Sequence, residues 1–194
     1  MNIVTINGSA REHNYTGKAL GVVHAELEKL PNVTVTKIEP ARMQLAVPGL
    51  RGNRTDAEDL QAQVGEADGV VLATPEYHGS FSSLVKLTLE NMGFPSALKG
   101  KTIALLGVAS GRIGAVKSLE HLRSVCSHIG ALVVPRAISV ARVRQVFDLE
   151  GRCLDPAVEQ DLQRLAVDLV KLIHQMRCPE LSFEEWARMN ETAA

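Results

Sequence analysis

Cysteine is scarce and scattered in this chain: Cys126, Cys153 and Cys178 form no CxxC pair and no zinc-type spacing. An odd count without a disulfide framework suits a reducing cytosol. Charge of either sign is nearly balanced, at −1 net with a pI near 6.6, and no Lys/Arg block breaks the balance. That removes the electrostatic case for nucleic acid and for a polybasic membrane patch as partners. Long apolar runs are missing too; none approaches the roughly 18 residues that suggest a membrane span. The N-terminus enters a strand pattern at once, with no basic region or cleavage site ahead of it, and reads as lacking a signal peptide. The expectation is a soluble, cytoplasmic protein.

What is present is an alternation of strand and helix patterns without internal repeat, over 194 residues of which 45% are hydrophobic. That length favours one compact domain. "NIVTI" (2–6), "VTVTKI" (33–38), "GVVLA" (69–73), "TIALLGV" (102–108) and "ALVVPRAISV" (131–140, interrupted at Pro135) read as five strands. Between them, helices are predicted from Tyr15 to Leu30, from a Thr55/Glu58 capping box to Gly65, over 82–92 and over 114–129. Val116, Leu119, Leu122, Cys126 and Ile129 are the expected inward face of the 114–129 helix. Asp155-Pro156, an N-cap followed by proline at N1, opens a last long helix to Met176. Five strands with helical crossovers imply an α/β fold, a doubly wound parallel sheet in three layers.

Such sheets bind ligands beyond the carboxyl ends of their strands, and three unusual loops lie there. The first, "NGSAREHNYT" (7–16), offers a sharp turn at Gly8, donors on Ser9, Asn14 and Thr16, a planar cation in Arg11, and the free amides of the next helix. An ordinary polar turn, with Asn14 or Thr16 as N-cap and Arg11 in solvent, explains it about as well. The second is "TPEYHGS" (74–80). Pro75 is expected to stop the third strand and Gly79 to admit close backbone approach; alternatively Glu76 caps something nearby, Tyr77 packs at an edge and His78 is a surface histidine. The third, "GVASGRIGA" (107–115), packs Gly107, Ser110, Gly111 and Gly114 into one turn, as a small-residue wall or as a flexible connection. Neither the ATP-binding P-loop nor the G-x-G-x-x-G fingerprint occurs after any strand. A phosphate loop of Ser, Asn and Thr without the P-loop lysine suits a monophosphate such as that of FMN.

Taken together these motifs resemble the NADPH-dependent FMN reductase family of flavodoxin-like enzymes, which includes quinone, chromate and azo-dye reductases. Gly8, Ser9, Arg11, Asn14 and Thr16 match its first motif, with Asn14 a variant; "PEYHGS" (75–80) and Lys86 match its second; residues 107–114 match its third. "FDLEGRCLDP" (147–156) is similar to its late acidic-glycine turn, so the match runs to about residue 176. The chain departs at Ser82-Ser83, where the family usually has Pro-Gly, and at Asn91, where an aromatic often ends the helix.

The resemblance implies a non-covalent FMN reduced by NADPH or NADH and reoxidised by a small acceptor such as a quinone, azo compound, chromate or free flavin. It assigns Ser9, Arg11, Asn14, Tyr15 and Thr16 to the phosphate and ribityl chain. Pro75, Glu76, Tyr77, His78 and Gly79 would meet the isoalloxazine, with Ser110, Gly111 and Gly114 on the far side. No side chain is required as an acid–base catalyst, because the flavin carries the chemistry. Arg112 is a candidate contact for the pyridine nucleotide, and Arg142 and Arg144 for its 2′-phosphate. Relatives are usually dimers or tetramers, which implies a homo-oligomer. The competing reading is a flavodoxin-type electron carrier. Such carriers commonly sandwich the ring between aromatics on an acidic surface, whereas aromatics here are 4% of residues. A third reading is a regulatory nucleotide-binding protein without flavin. The flavin-binding domain is expected to span 1–178. In the tail, 179–194, Ser182 and Glu185 predict a short final helix, with Phe183 and Trp186 as apolar anchors.

Overall fold

The computed structural model describes residues 1–50 and 54–176; the tail helix expected in 179–194, and Cys178, lie outside them. The sheet is built from β1 (Asn2–Asn7), β2 (Thr34–Ile38), β3 (Gly69–Tyr77), β5 (Thr102–Val108), β6 (Leu132–Val133) and β7 (Ile138–Val140), all parallel, in the order β2-β1-β3-β5-β6. β6 and β7 share the fifth position. The first lies beside Thr102 and Ile103, the second beside Leu106, Gly107 and Val108, on either side of the break at Pro135. A short β4 (Ser80–Phe81) pairs antiparallel with the end of β3.

β5 is buried at all seven positions, as expected for an interior parallel strand covered on both faces. Its alternate residues feed two cores. Ala104, Leu106 and Val108 join the core under α1 (Tyr15–Lys29) and α6 (Pro156–Met176). Ile103 and Leu105 join the opposite core, under α2 (Arg54–Glu66), α3 (Ser83–Glu90) and α4 (Val116–His128). A four-residue helix, α5 (Val143–Val146), follows β7. The strand order is that of a flavodoxin-like doubly wound sheet, with its switch point between β1 and β3.

Three local expectations are corrected. Pro75 does not stop β3, which continues to Tyr77 with Pro75 in register with Val108. The Ala73 carbonyl accepts from the Gly8 amide at 2.8 Å, on the β1 side. Successive residues of a parallel strand bond to opposite neighbours, so Pro75, two residues on, turns its nitrogen to that same side, where the chain has left the sheet after Asn7. No N–H is required there. Thr55 lies inside α2, which begins at Arg54, so it cannot be the N-cap. Val116 is 43% exposed rather than inward-facing, because it is the first residue of α4 and points away from the core that Leu119, Leu122 and Cys126 fill.

Candidate functional site

The loop after β1 is tied to the loop after β3. A Cβ on Gly8 would collide with Val85 Cγ2 and the Ala73 carbonyl oxygen, so only glycine fits where the two segments touch. Ser82 Oγ donates to the Gly8 carbonyl at 2.6 Å and also accepts from the Val85 amide as N-cap of α3. Ser82, one of the departures from the family pattern, therefore welds the two loops.

Asn14 caps α1, its Oδ1 accepting from the Gly17 amide at 2.6 Å while its Nδ2 donates to the Arg11 carbonyl at 2.7 Å. Its side chain is thus occupied within the loop. The amides of Tyr15 and Thr16 open the helix and have no intrahelical acceptor. Ser9 is buried, and its Oγ accepts from the Arg11 amide at 3.4 Å. That bond does not use its hydroxyl proton.

The "PEYHGS" segment is a tight β-hairpin rather than an open loop. Tyr77 pairs with Ser80 across His78 and Gly79, whose φ angles are +51° and +74°. Positive φ at both central residues is the type I′ turn that suits strand twist. Glu76 does cap a helix: its Oε2 accepts from the Ser118 amide in the first turn of α4, at 3.1 Å. In the third loop, Gly114 has φ +80° and no room for a Cβ against Ser139 Oγ. The same Ser139 Oγ accepts from the Ala115 amide, which fixes the entry to α4.

These loops enclose a cleft of about 190 Å³ beyond the ends of β1, β3 and β5. Ser9, Arg11, Asn14, Tyr15, Thr16, Pro75, Glu76, Tyr77 and Ser110 all line it. His78, Gly79, Gly111 and Gly114 do not. His78 and Gly79 form the hairpin tip, Gly111 lies on the outer surface and Gly114 is buried beneath the wall. Arg112 is exposed and outside the cleft, and so is Arg142, whereas Arg144 lines it. Lys86 pairs with Glu90 on the outer side of α3. Sequence reasoning missed Val108, Ala109 and Val143, which give the cleft its apolar floor. Ala109 was within reach of it, since residues at the carboxyl end of an interior strand meet the ligand as directly as the polar loop beyond. Arg11 also lies over the Tyr77 ring, 5.2 Å from its centroid.

The donor set fits a monoanion-to-dianion headgroup joined to a flat apolar body. Hydroxyls, helix amides and a guanidinium line the cleft together with the apolar Pro75, Val108 and Ala109. The fold defines a flavodoxin-like protein, and this cleft lies at its switch point. Residues 1–145 match the NADPH-dependent FMN reductase family. The chain belongs to that family: it is an oxidoreductase whose cofactor is FMN.

An NAD(P)H-dependent FMN reductase of Pseudomonas aeruginosa is 24% identical over 181 residues, covering 91% of this chain and 97% of that protein. An NADPH:quinone oxidoreductase of Arabidopsis thaliana is 23% identical over 176 residues, covering 87% and 90%. Among solved structures, the flavoenzyme NAD(P)H:acceptor oxidoreductase FerB of Paracoccus denitrificans superposes with a TM-score of 0.73 at 19% identity. That match covers 90% of this chain and 97% of FerB.

Proposed function

We propose that the protein takes a hydride from NAD(P)H onto FMN held in the β1/β3/β5 cleft and passes the electrons to a small acceptor such as a quinone. Bound FMN supplies the redox chemistry itself. The chain's own residues bind and orient it. Arg11, the Ser9 hydroxyl and the first amides of α1 neutralise and hold the phosphate, a charge-assisted arrangement at a helix N-terminus. Pro75, Val108 and Ala109 exclude water from one edge of the ring. Glu76, committed to the α4 amide, holds the hairpin against α4 and so sets where Tyr77 stands.

The observation that carries this reading is the convergence of a phosphate-type donor set and an apolar strand-end floor in one cleft with an open mouth. At about 190 Å³ the cleft is smaller than the roughly 300–1,000 Å³ of most small-molecule pockets. FMN held there would extend beyond the cleft, which would leave it open to NAD(P)H and then to an acceptor. Tyr77, 38% exposed, stands beside the hairpin turn and lines the cleft. Arg144, in the cleft wall, is assigned to the pyridine nucleotide ahead of Arg112 and Arg142, which lie outside the cleft. The reading also takes the enzyme as a cytoplasmic homo-oligomer, supported by the exposed apolar Ile113 and Val116 beside the third loop. Among the described residues no helix is long and apolar enough to cross a membrane. Sedimentation at micromolar concentration checks the assembly.

The test of the function is anaerobic. NADPH added to the FMN-loaded protein should bleach the flavin within seconds, and a quinone added next should restore the colour. Flavin that stays yellow under NADPH would make the protein a carrier needing a separate reductase.

A further inference from the structure

Asn7, the last residue of β1, is 3% exposed and carries an amide with two fixed partners. Its Oδ1 accepts from the Ser9 amide at 3.2 Å. Its Nδ2 donates to Oε2 of Glu39, just beyond β2, at 3.0 Å. The Ser9 N–H can only donate and the Glu39 carboxylate can only accept, so both orient the amide the same way.

The contact belongs to a longer chain. The Gly17 amide donates to Asn14 Oδ1, Asn14 Nδ2 to the Arg11 carbonyl, the Arg11 amide to Ser9 Oγ, the Ser9 amide to Asn7 Oδ1, and Asn7 Nδ2 to Glu39. Five successive bonds, every donor on the side away from Glu39, run the length of the phosphate loop and end on a carboxylate. Within the Asn7 amide the accepting oxygen and the donating nitrogen are conjugated, so the Ser9–Asn7 and Asn7–Glu39 bonds strengthen one another, and the ionised acceptor strengthens the latter further.

The loop needs such a tether because little protein backs it. Ser9, Arg11 and Asn14 line the cleft on one side and, on the other, an open groove of about 970 Å³ running beside α1. Asn7 and Glu39 stand at the end of that groove nearest β1. Gly17 leaves room for them: a Cβ there would sit 3.1 Å from Asn7 Nδ2.

We propose that Glu39, acting through Asn7, is a positioning residue for the phosphate loop. It sets the Ser9 hydroxyl and Arg11 for a phosphate ester without touching it. The carboxylate serves this purpose despite its charge because it acts behind the loop, on a buried amide. This rests on the FMN reading above.

The test compares FMN with riboflavin, which lacks the phosphate, by fluorescence quenching on the full-length protein. In Glu39→Leu, FMN affinity should fall about tenfold while riboflavin affinity stays within about twofold. Glu39→Gln, whose amide oxygen still accepts from Asn7, should stay within about threefold for both. Because Glu39→Leu could fold poorly, Asn7→Asp provides a second route. Facing Glu39 with another carboxylate, it should lose FMN affinity, and adding Glu39→Gln to the same chain should restore it by reversing the donor. Glu39→Leu with wild-type FMN affinity, equal loss of both flavins, or no restoration in the double variant would overturn the proposal. A wild-type protein that holds no FMN would instead overturn the reading of the site.

Discussion

The Arg11 guanidinium lies 5.2 Å from the centre of the Tyr77 ring, joining the loop after β1 to the hairpin after β3 across the mouth of the cleft. A cation over an aromatic face is worth about 0.5–1 kcal/mol at an exposed site. That is little beside a phosphate contact, so Arg11 is free to exchange the ring for an anion.

Arg11→Met should therefore weaken FMN by about tenfold, roughly 1.4 kcal/mol. The loss should be largest at low ionic strength, where screening is weakest. Arg11→Lys should recover only part, since the ammonium keeps the charge and loses the planar fork. Titrations at two salt concentrations check both, and an unchanged salt dependence would remove Arg11 from the phosphate site.

The hairpin makes a stability prediction independent of any ligand. Gly79→Ala has room, its Cβ falling 3.5 Å from Lys117 Cδ, but φ is +74°. The cost should be about 1–2 kcal/mol, all of it backbone. His78→Asn, at φ +51°, should be neutral or stabilise by up to about 0.5 kcal/mol, since Asn-Gly is the favoured pair of a type I′ turn. Urea midpoints of the two variants should move in opposite directions or, for His78→Asn, not fall.

Glu76→Ala removes the acceptor of the Ser118 amide and a negative charge at the N-terminus of α4. Destabilisation of about 0.5–2 kcal/mol is expected. Glu76→Gln should retain part of it, because the amide oxygen still accepts. Thermal unfolding at matched pH separates the two.

His24 sits 5% exposed on α1, with Nε2 3.2 Å from Glu28. Burial, and then the Lys37 charge, lower its pKa from 6.5, against the opposing pull of Glu28. A lowered pKa means the unfolded chain takes up this proton more readily than the folded one, so stability rises with pH up to about the unfolded value and falls as pH drops below it. Urea unfolding from about pH 5 to about pH 8 should show a slope that His24→Gln reduces. An unaltered slope would acquit His24.

How far the amino-acid pattern reached depended on whether the signal was periodic or conformational. The interior strands were legible because β3 and β5 are apolar at successive positions, as strands covered on both faces must be. The Asp155 cap of α6 was legible because its Oδ1 accepts from the Ala157 and Val158 amides as the Asp-Pro pair suggests. Pro75 misled because proline reads as a strand stop unless the side to which its nitrogen turns is known, and that depends on where β1 ends. The hairpin was hidden because its turn needs positive φ at a histidine, an uncommon choice. Most residues assigned to the site do line one cleft, yet Val108 looked like plain strand, and Ala109, though inside the third loop, has no polar group to mark it. The Asn7–Glu39 tether joins residues 32 positions apart, a distance no local pattern spans.

The central claim is that the cleft beyond β1, β3 and β5 holds FMN by its phosphate. The direct measurement is the visible spectrum of the protein after incubation with FMN or riboflavin and desalting. The account predicts close to one FMN retained per chain and far less riboflavin. A colourless protein after FMN, or equal retention of the two, would contradict it.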